Sequence, residues 1–209
     1  MLFDSAMLLQ TIIVILVFLI AITVHECAHA LVAYLLGDRT AYDAGRITLN
    51  PFSHIDPVGL LFLIFLRIGW AKPVPMNPKN FAYPRFYAML TGLAGPASNF
   101  LLAIFCLFGM KMGKLWFGFA TQGAYGVLLE ILAYINVMLA VFNLLPIPPL
   151  DGSHILQLCI PLRWQVYYYT FSRYALFLLL ILVFAVPQFT KFLSTLIQLV
   201  YNSLAVAIL

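Results

Sequence analysis

The chain has 209 residues, of which 64% are hydrophobic and 9% charged, with a formal net charge of +4; its mean hydropathy is +1.03. A soluble surface carries about 25–35% charged residues, so a water-soluble domain is excluded and the expected fold class is an all-α polytopic membrane protein. The positive surplus is too small and too dispersed for nucleic acid and reads as topology information.

Met1–Ala6 carries no Lys or Arg, so no signal peptide is expected, and the apolar run that follows is too long for a signal-peptide core. Residues 7–36 predict the first helix, about 45 Å long, enough to cross a bilayer with tilt. Glu26 is the sole Asp, Glu, Lys or Arg between residues 5 and 36, and it stands in His25-Glu26-Cys27-Ala28-His29. Three ionisable groups in a hydrocarbon-spanning helix are costly and point to function. Positions i and i+4 share a helix face, so His25 and His29 can reach one metal ion while Glu26 leans over a metal-bound water as general base. Gly37 predicts the helix stop, placing the pair about 12–18 Å below that end.

Residues 38–56 are polar and rich in turn formers, and 46–50 alternates in a strand-like way before Pro51. Pro57–Ile68 is apolar but too short to span, and is expected to be re-entrant or interfacial. The prolines of the stretch from Trp70 to Pro78 predict extended chain. A second spanning helix is predicted over about 86–110, with small residues at four-residue spacing (Thr91/Gly95, Ala94/Ser98) that allow close helix packing. Asn99 within it fits interhelical hydrogen bonding better than a polar cavity.

Lys111 and Lys114 mark the opposite side. A helix over about 123–144 then carries Glu130, to which no chemistry is assigned, and Asn136 and Asn143 on one face. It ends at Asn143-Leu144-Leu145-Pro146-Ile147-Pro148-Pro149-Leu150-Asp151-Gly152. Three prolines in four residues forbid helix and deliver Asp151, on unwound chain, to the side of the histidine pair. After a mixed segment over 153–173, residues 174–209 predict one spanning helix plus a second or interfacial one. The total is roughly four to six membrane segments with a short β or extended region and a re-entrant segment.

Arg39, Arg46, Arg67, Lys72, Lys79, Arg85, Arg163 and Arg173 fall on the metal side, against Lys111, Lys114 and Lys191 on the other. The positive-inside rule therefore puts the site nearer the cytoplasm. The three cysteines, Cys27, Cys106 and Cys159, form no C-x-x-C pair and indicate neither a disulfide framework nor a cysteine-rich zinc site. A catalytic zinc commonly takes three protein ligands. Asp151 is the best third candidate beside His25 and His29, with His154 and His54 as competitors.

Together, H-E-C-A-H, G-R-I-T-L-N-P-F-S-H-I-D-P-V-G, W-A-K-P-V-P-M-N-P, A-G-P-A-S-N and N-L-L-P-I-P-P-L-D-G resemble the site-2 protease family of intramembrane zinc metalloproteases over about residues 20–160. The resemblance implies a multi-pass cell-membrane enzyme that cuts peptide bonds within or near transmembrane segments of membrane-protein substrates. It implies one zinc per chain on His25, His29 and Asp151, with Glu26 as general acid/base and Asn143 assisting substrate or oxyanion. Its partners would be a transmembrane protein substrate and the lipid bilayer, with no nucleic acid; the sequence leaves oligomeric state open. A single metalloprotease domain over 1–209 is expected, with its core at about 7–160 and C-terminal segments at about 174–209, lacking any inserted PDZ or CBS domain. The main rival, a membrane zinc carrier, would have no need of Glu26.

Overall fold

The computed structural model describes residues 5–66, 69–118 and 123–209. Its helices are α1 (Ser5–Leu35), α2 (Thr40–Asp43), α3 (Pro57–Leu66), α4 (Pro84–Phe117), α5 (Ala124–Asn143), α6 (Ser153–Cys159), α7 (Gln165–Ala185) and α8 (Pro187–Ile208). Among the described residues, five segments are long and apolar enough to cross a membrane: Leu8–Leu35, Pro84–Phe117, Ala124–Asn143, Leu162–Ala185 and Pro187–Ile208. The all-α polytopic expectation holds. With water absent from the bilayer core, helices satisfy their own backbone, and large side chains such as Phe105, Leu101 and Phe184 are free to face lipid.

Helix α1 stops where Gly37 adopts a φ of 105°. Gly37 N donates to Tyr34 O and Asp38 N to Ala33 O, the paired bonds of a Schellman motif. Asp38, fully buried, then ties the start of α2 to the turn at residues 77–80. It accepts from the Thr40 N–H and hydroxyl, from Asn77 N at 2.7 Å and from Asn80 Nδ2 at 2.7 Å. Burial alone would raise its pKa, but these donors outweigh it and hold the carboxyl below its ordinary value.

Segment 57–66 forms a short excursion, as either a re-entrant or an interfacial segment would. Ile55 bridges to Ala71, and Lys72 N donates to His54 O at 2.8 Å, so the chain leaves for α3 and returns to its starting point. Gly59 makes this closure possible, because a Cβ there would collide with the Trp70 backbone. Arg67, counted above among the metal-side charges, lies outside the described residues.

Two boundaries differ from expectation. Residues 46–50 form no strand; the chain bends at Ile47 and Thr48, and Thr48 O is taken by His54 Nε2 at 2.9 Å. Alternation alone makes no strand without a neighbouring edge to pair with. Helix α7 begins at Gln165 rather than near 174, since its tyrosine-rich first turns are helical although their polarity reads as a connector.

Helices α4 and α5 form the centre, with α1 packed across both and α8 against the far half of α4 and α5. One apolar cluster joins Ala103, Leu107 and Met110 of α4 to Ala133, Val137 and Val141 of α5 and Ile197 of α8. Another joins Val17, Ala21 and Ile22 of α1 to Leu63 of α3 and Ile135 and Leu139 of α5. Lys111 Nζ donates to Ile208 O at 2.6 Å, fastening the C-terminal end of α8 to α4.

Candidate metal centre

The helical turn from His25 to His29 sets their rings edge to face, with centroids 4.6 Å apart. Their Nε2 atoms lie 3.0 Å from each other. Asp151, carried in on the proline-broken segment after α5, places Oδ2 3.1 Å from His25 Nε2 and 3.4 Å from His29 Nε2. Both histidines are buried, at 3% and 7% exposure, so no bulk water shields these three atoms from one another.

The opposite edges of the two rings define their protonation. His29 Nδ1 lies 2.6 Å from Thr91 O. A carbonyl only accepts, so His29 Nδ1 carries the hydrogen. His25 Nδ1 lies 2.6 Å from Asn99 Oδ1, which likewise accepts. In the neutral form each ring then turns a bare electron pair toward the other and toward a carboxylate.

That arrangement fits a metal cation and little else. Three electron-rich atoms converge, and the buried Asp151 Oδ2 meets no hydrogen-bond donor. Tetrahedral zinc with bonds of about 2.0–2.1 Å spaces its ligand atoms by about 3.3 Å, close to the separations seen here. The outer-ring bonds from Nδ1 are those that orient metal-binding histidines. A cradle on α4 completes the fit: a Cβ at Gly95 would overlap both histidine rings, so glycine lets the helix backbone close directly over the candidate ligand atoms.

Glu26 is buried at 8% exposure and lies within electrostatic reach of His29 and Arg46. Arg46, expected as a topology charge, is also buried, and its guanidinium clamps the carbonyls of Lys72 and Pro73. Asn143 does not join the three-atom cluster: its Nδ2 donates to Leu139 O at 3.0 Å, one turn back on α5. Its backbone carbonyl accepts from Gly152 N at 2.7 Å, which fixes the turn beside Asp151.

The two competing histidines have other places. His54 is fully buried against Thr48 O, in the loop that closes the α3 excursion. His154 packs against Gly92, and burial pushes its pKa down despite the nearby Asp151. Neither joins the cluster of His25, His29 and Asp151.

Sequence reasoning missed the support beneath the candidate ligands. Asn99 is interhelical glue as expected, bonding Ala21 O at 3.1 Å and Asn136 Oδ1 at 2.7 Å, but its oxygen also orients His25. Its position in the A-G-P-A-S-N stretch, one helical turn from Gly95, is the signal that could have linked it to the site.

The sequence pattern of Peptidase family M50 matches residues 113–186, a segment that contains Asn143 and Asp151. "Putative zinc metalloprotease YwhC" of Bacillus subtilis is 40% identical over 147 residues, covering 68% of this chain and 67% of that protein. "Putative zinc metalloprotease Rip2" of Mycolicibacterium smegmatis is 31% identical over 144 residues, covering 66% of this chain and 54% of that protein. The Mycobacterium tuberculosis Rip2 is 30% identical over 153 residues, with 54% of its length covered. The match thus spans two thirds of YwhC and about half of each Rip2. No solved structure matches the chain. The M50 pattern covers the stretch that brings Asp151 to the histidines, and YwhC is matched over two thirds of its length, so the chain belongs to peptidase family M50, the site-2 protease family of zinc metalloproteases.

Proposed function

We propose that this zinc metalloprotease hydrolyses peptide bonds within or near transmembrane segments of membrane-protein substrates, with one zinc per chain held by His25, His29 and Asp151. The observation that carries the reading is the meeting of three bare atoms, two from histidines on the membrane-crossing α1 and one from Asp151 on the unwound segment after α5, beside the buried Glu26.

When bound, zinc supplies Lewis acidity, which polarises a carbonyl and brings the pKa of water toward about 7. Glu26 is the general base: it adjoins His25 on α1, accepts a proton from the attacking water and returns it to the departing nitrogen. Asn143 holds the substrate carbonyl, since one of its amide hydrogens is used by Leu139 O and the second is left for a substrate oxygen. Loss of such a donor costs about 10²–10³ in turnover. The positive-inside rule puts this site nearer the cytoplasmic face of a cell membrane, with residues 1–209 acting as one catalytic unit.

Metal content and cleavage of a reconstituted single-span substrate test the reading together. Glu26→Gln should retain about one zinc and lose cleavage, whereas His29→Ala and Asp151→Asn should lose both. Full zinc in Asp151→Asn would remove it from the ligand set. Cleavage by Glu26→Gln at the wild-type rate would end its role as base, and a carrier would show zinc binding with no cleavage by any form.

A further inference from the structure

We propose that Asn136, on α5, is a positioning residue for the metal centre: acting through Asn99, it locks His25 into the tautomer that presents a bare Nε2. The inference rests on His25 being a zinc ligand.

The lock is a chain of hydrogen-bond polarity. Asn99 and Asn136 are both fully buried, so neither amide can exchange partners with water. Asn136 Nδ2 donates to Leu132 O at 2.8 Å. Because a backbone carbonyl accepts only, the nitrogen end of this amide must face it, which turns Oδ1 toward α4. There it accepts from Asn99 Nδ2 at 2.7 Å, and the second hydrogen of Asn99 Nδ2 goes to Ala21 O at 3.1 Å. With two acceptors on its nitrogen side, Asn99 must turn its oxygen to His25 Nδ1, 2.6 Å away. That oxygen cannot donate, so the ring hydrogen sits on Nδ1 and Nε2 is left unprotonated.

The two histidines are therefore fixed by different means. His29 bonds a backbone carbonyl, Thr91 O, whose polarity cannot invert. His25 bonds a side-chain amide, which can. A flipped Asn99 would present Nδ2 to His25 Nδ1, shift the hydrogen to Nε2 and block ligation. The same flip would set Asn99 Oδ1 against Asn136 Oδ1 and Ala21 O, three acceptors with no hydrogen among them in a buried site. Asn136 supplies half of that penalty without touching either histidine.

The decisive measurements are zinc affinity, by competition with a chromophoric chelator, and ¹⁵N shifts of the histidine rings in metal-free protein above the histidine titration range. In wild type, His25 should carry its hydrogen on Nδ1. Asn136→Leu, which keeps size but removes the acceptor, should mix the His25 tautomers, leave His29 unchanged and weaken zinc binding by about 10–100-fold. Asn136→Asp should restore both readouts, because burial keeps that carboxyl protonated, its hydroxyl replacing Nδ2 toward Leu132 O and its carbonyl oxygen still accepting from Asn99. A folded Asn136→Leu protein with wild-type affinity and one His25 tautomer would overturn the proposal, as would an Nε2–H tautomer in wild type. Should Asn136→Leu fail to fold, the wild-type spectrum and Asn136→Asp decide. A wild type that binds no zinc would instead strike the metal reading, and the tautomer spectrum would still judge the relay.

Discussion

The backbone of Gly95 lies against His29 Nε2 with no room for a methyl group between them. The contact is how α4 reaches α1 at the depth of the proposed metal site. In Gly95→Ala, the new Cβ would push on both ligand rings while the helix, which favours alanine over glycine, would remain formed. Zinc affinity should fall at least about tenfold with helical content unchanged. Gly109→Ala on the same helix is the control, since its Cβ meets only movable side-chain ends, Leu129 Cδ1 at 3.4 Å and the Tyr125 hydroxyl at 3.6 Å. Equal zinc binding by the two variants would mean that Gly95 does not shape the site.

Asp38 makes the loop scaffold on the metal side sensitive to acid. Its folded pKa is lowered, so its stabilising contribution is fully present above the unfolded value of about 3.9 and is lost as pH falls through the lower folded value. Asp38→Asn should cost about 1–3 kcal/mol at neutral pH, because an amide accepts less strongly from the Asn77 and Asn80 donors. The gap in melting temperature between wild type and Asp38→Asn should therefore narrow steadily below about pH 4. A gap that stays constant from neutral pH to about pH 3 would show that the carboxylate charge contributes nothing.

Arg85 anchors the helix that follows Asp151. Its guanidinium donates to the carbonyls of Gln157, Leu158 and Ile160, which end α6 without intrahelical partners. In Arg85→Leu the acceptors lose their donor while the apolar stem is kept. The expected cost is about 1.5–3 kcal/mol, the range for hydrogen bonds from a charged group, seen as a lower thermal midpoint in detergent. All three bonds come from the single nitrogen Nη2, so lysine, whose ammonium carries three donors, should recover part of it. An unchanged midpoint in Arg85→Leu would show that α6 is held by its other contacts.

What was legible in the sequence tracks how local each signal is. His25 and His29 are one helical turn apart, so their shared face follows from helix geometry alone. Asp151 could be placed because the prolines before it leave the chain no regular structure to adopt. The supports were harder to see. Asn99 and Asn136 are 37 residues apart, and their contact exists only once α4 and α5 pack. The Thr91 carbonyl that orients His29 is backbone and has no signature in side-chain identity. Residues 46–50 misled in the opposite sense, since alternation is visible in sequence but the absence of a pairing edge is not. Arg46 was legible as charge, yet not as a buried clamp on Lys72 and Pro73, because burial of a cation depends on carbonyls supplied by another loop.

Gly152 tests whether the turn that carries Asp151 is as tightly specified as its contacts imply. Its φ of −58° and ψ of −20° suit any residue, so backbone freedom is not what requires glycine here. Close approach is: a Cβ would strike the carbonyls of Leu144 and Leu145, backbone atoms with no rotamer to change. Those residues begin the proline-broken segment, and Gly152 N closes it by bonding Asn143 O. Adding a methyl should open that loop and withdraw Asp151 from the histidines, at a cost above about 1–3 kcal/mol, since backbone rather than side chain must yield. Gly152→Ala should therefore lose zinc about as fully as Asp151→Asn, although every ligand is present. If it retains zinc and cleavage at wild-type levels, the 144–152 turn is more plastic than its packing indicates, and delivery of Asp151 would then rest on the helix ends alone.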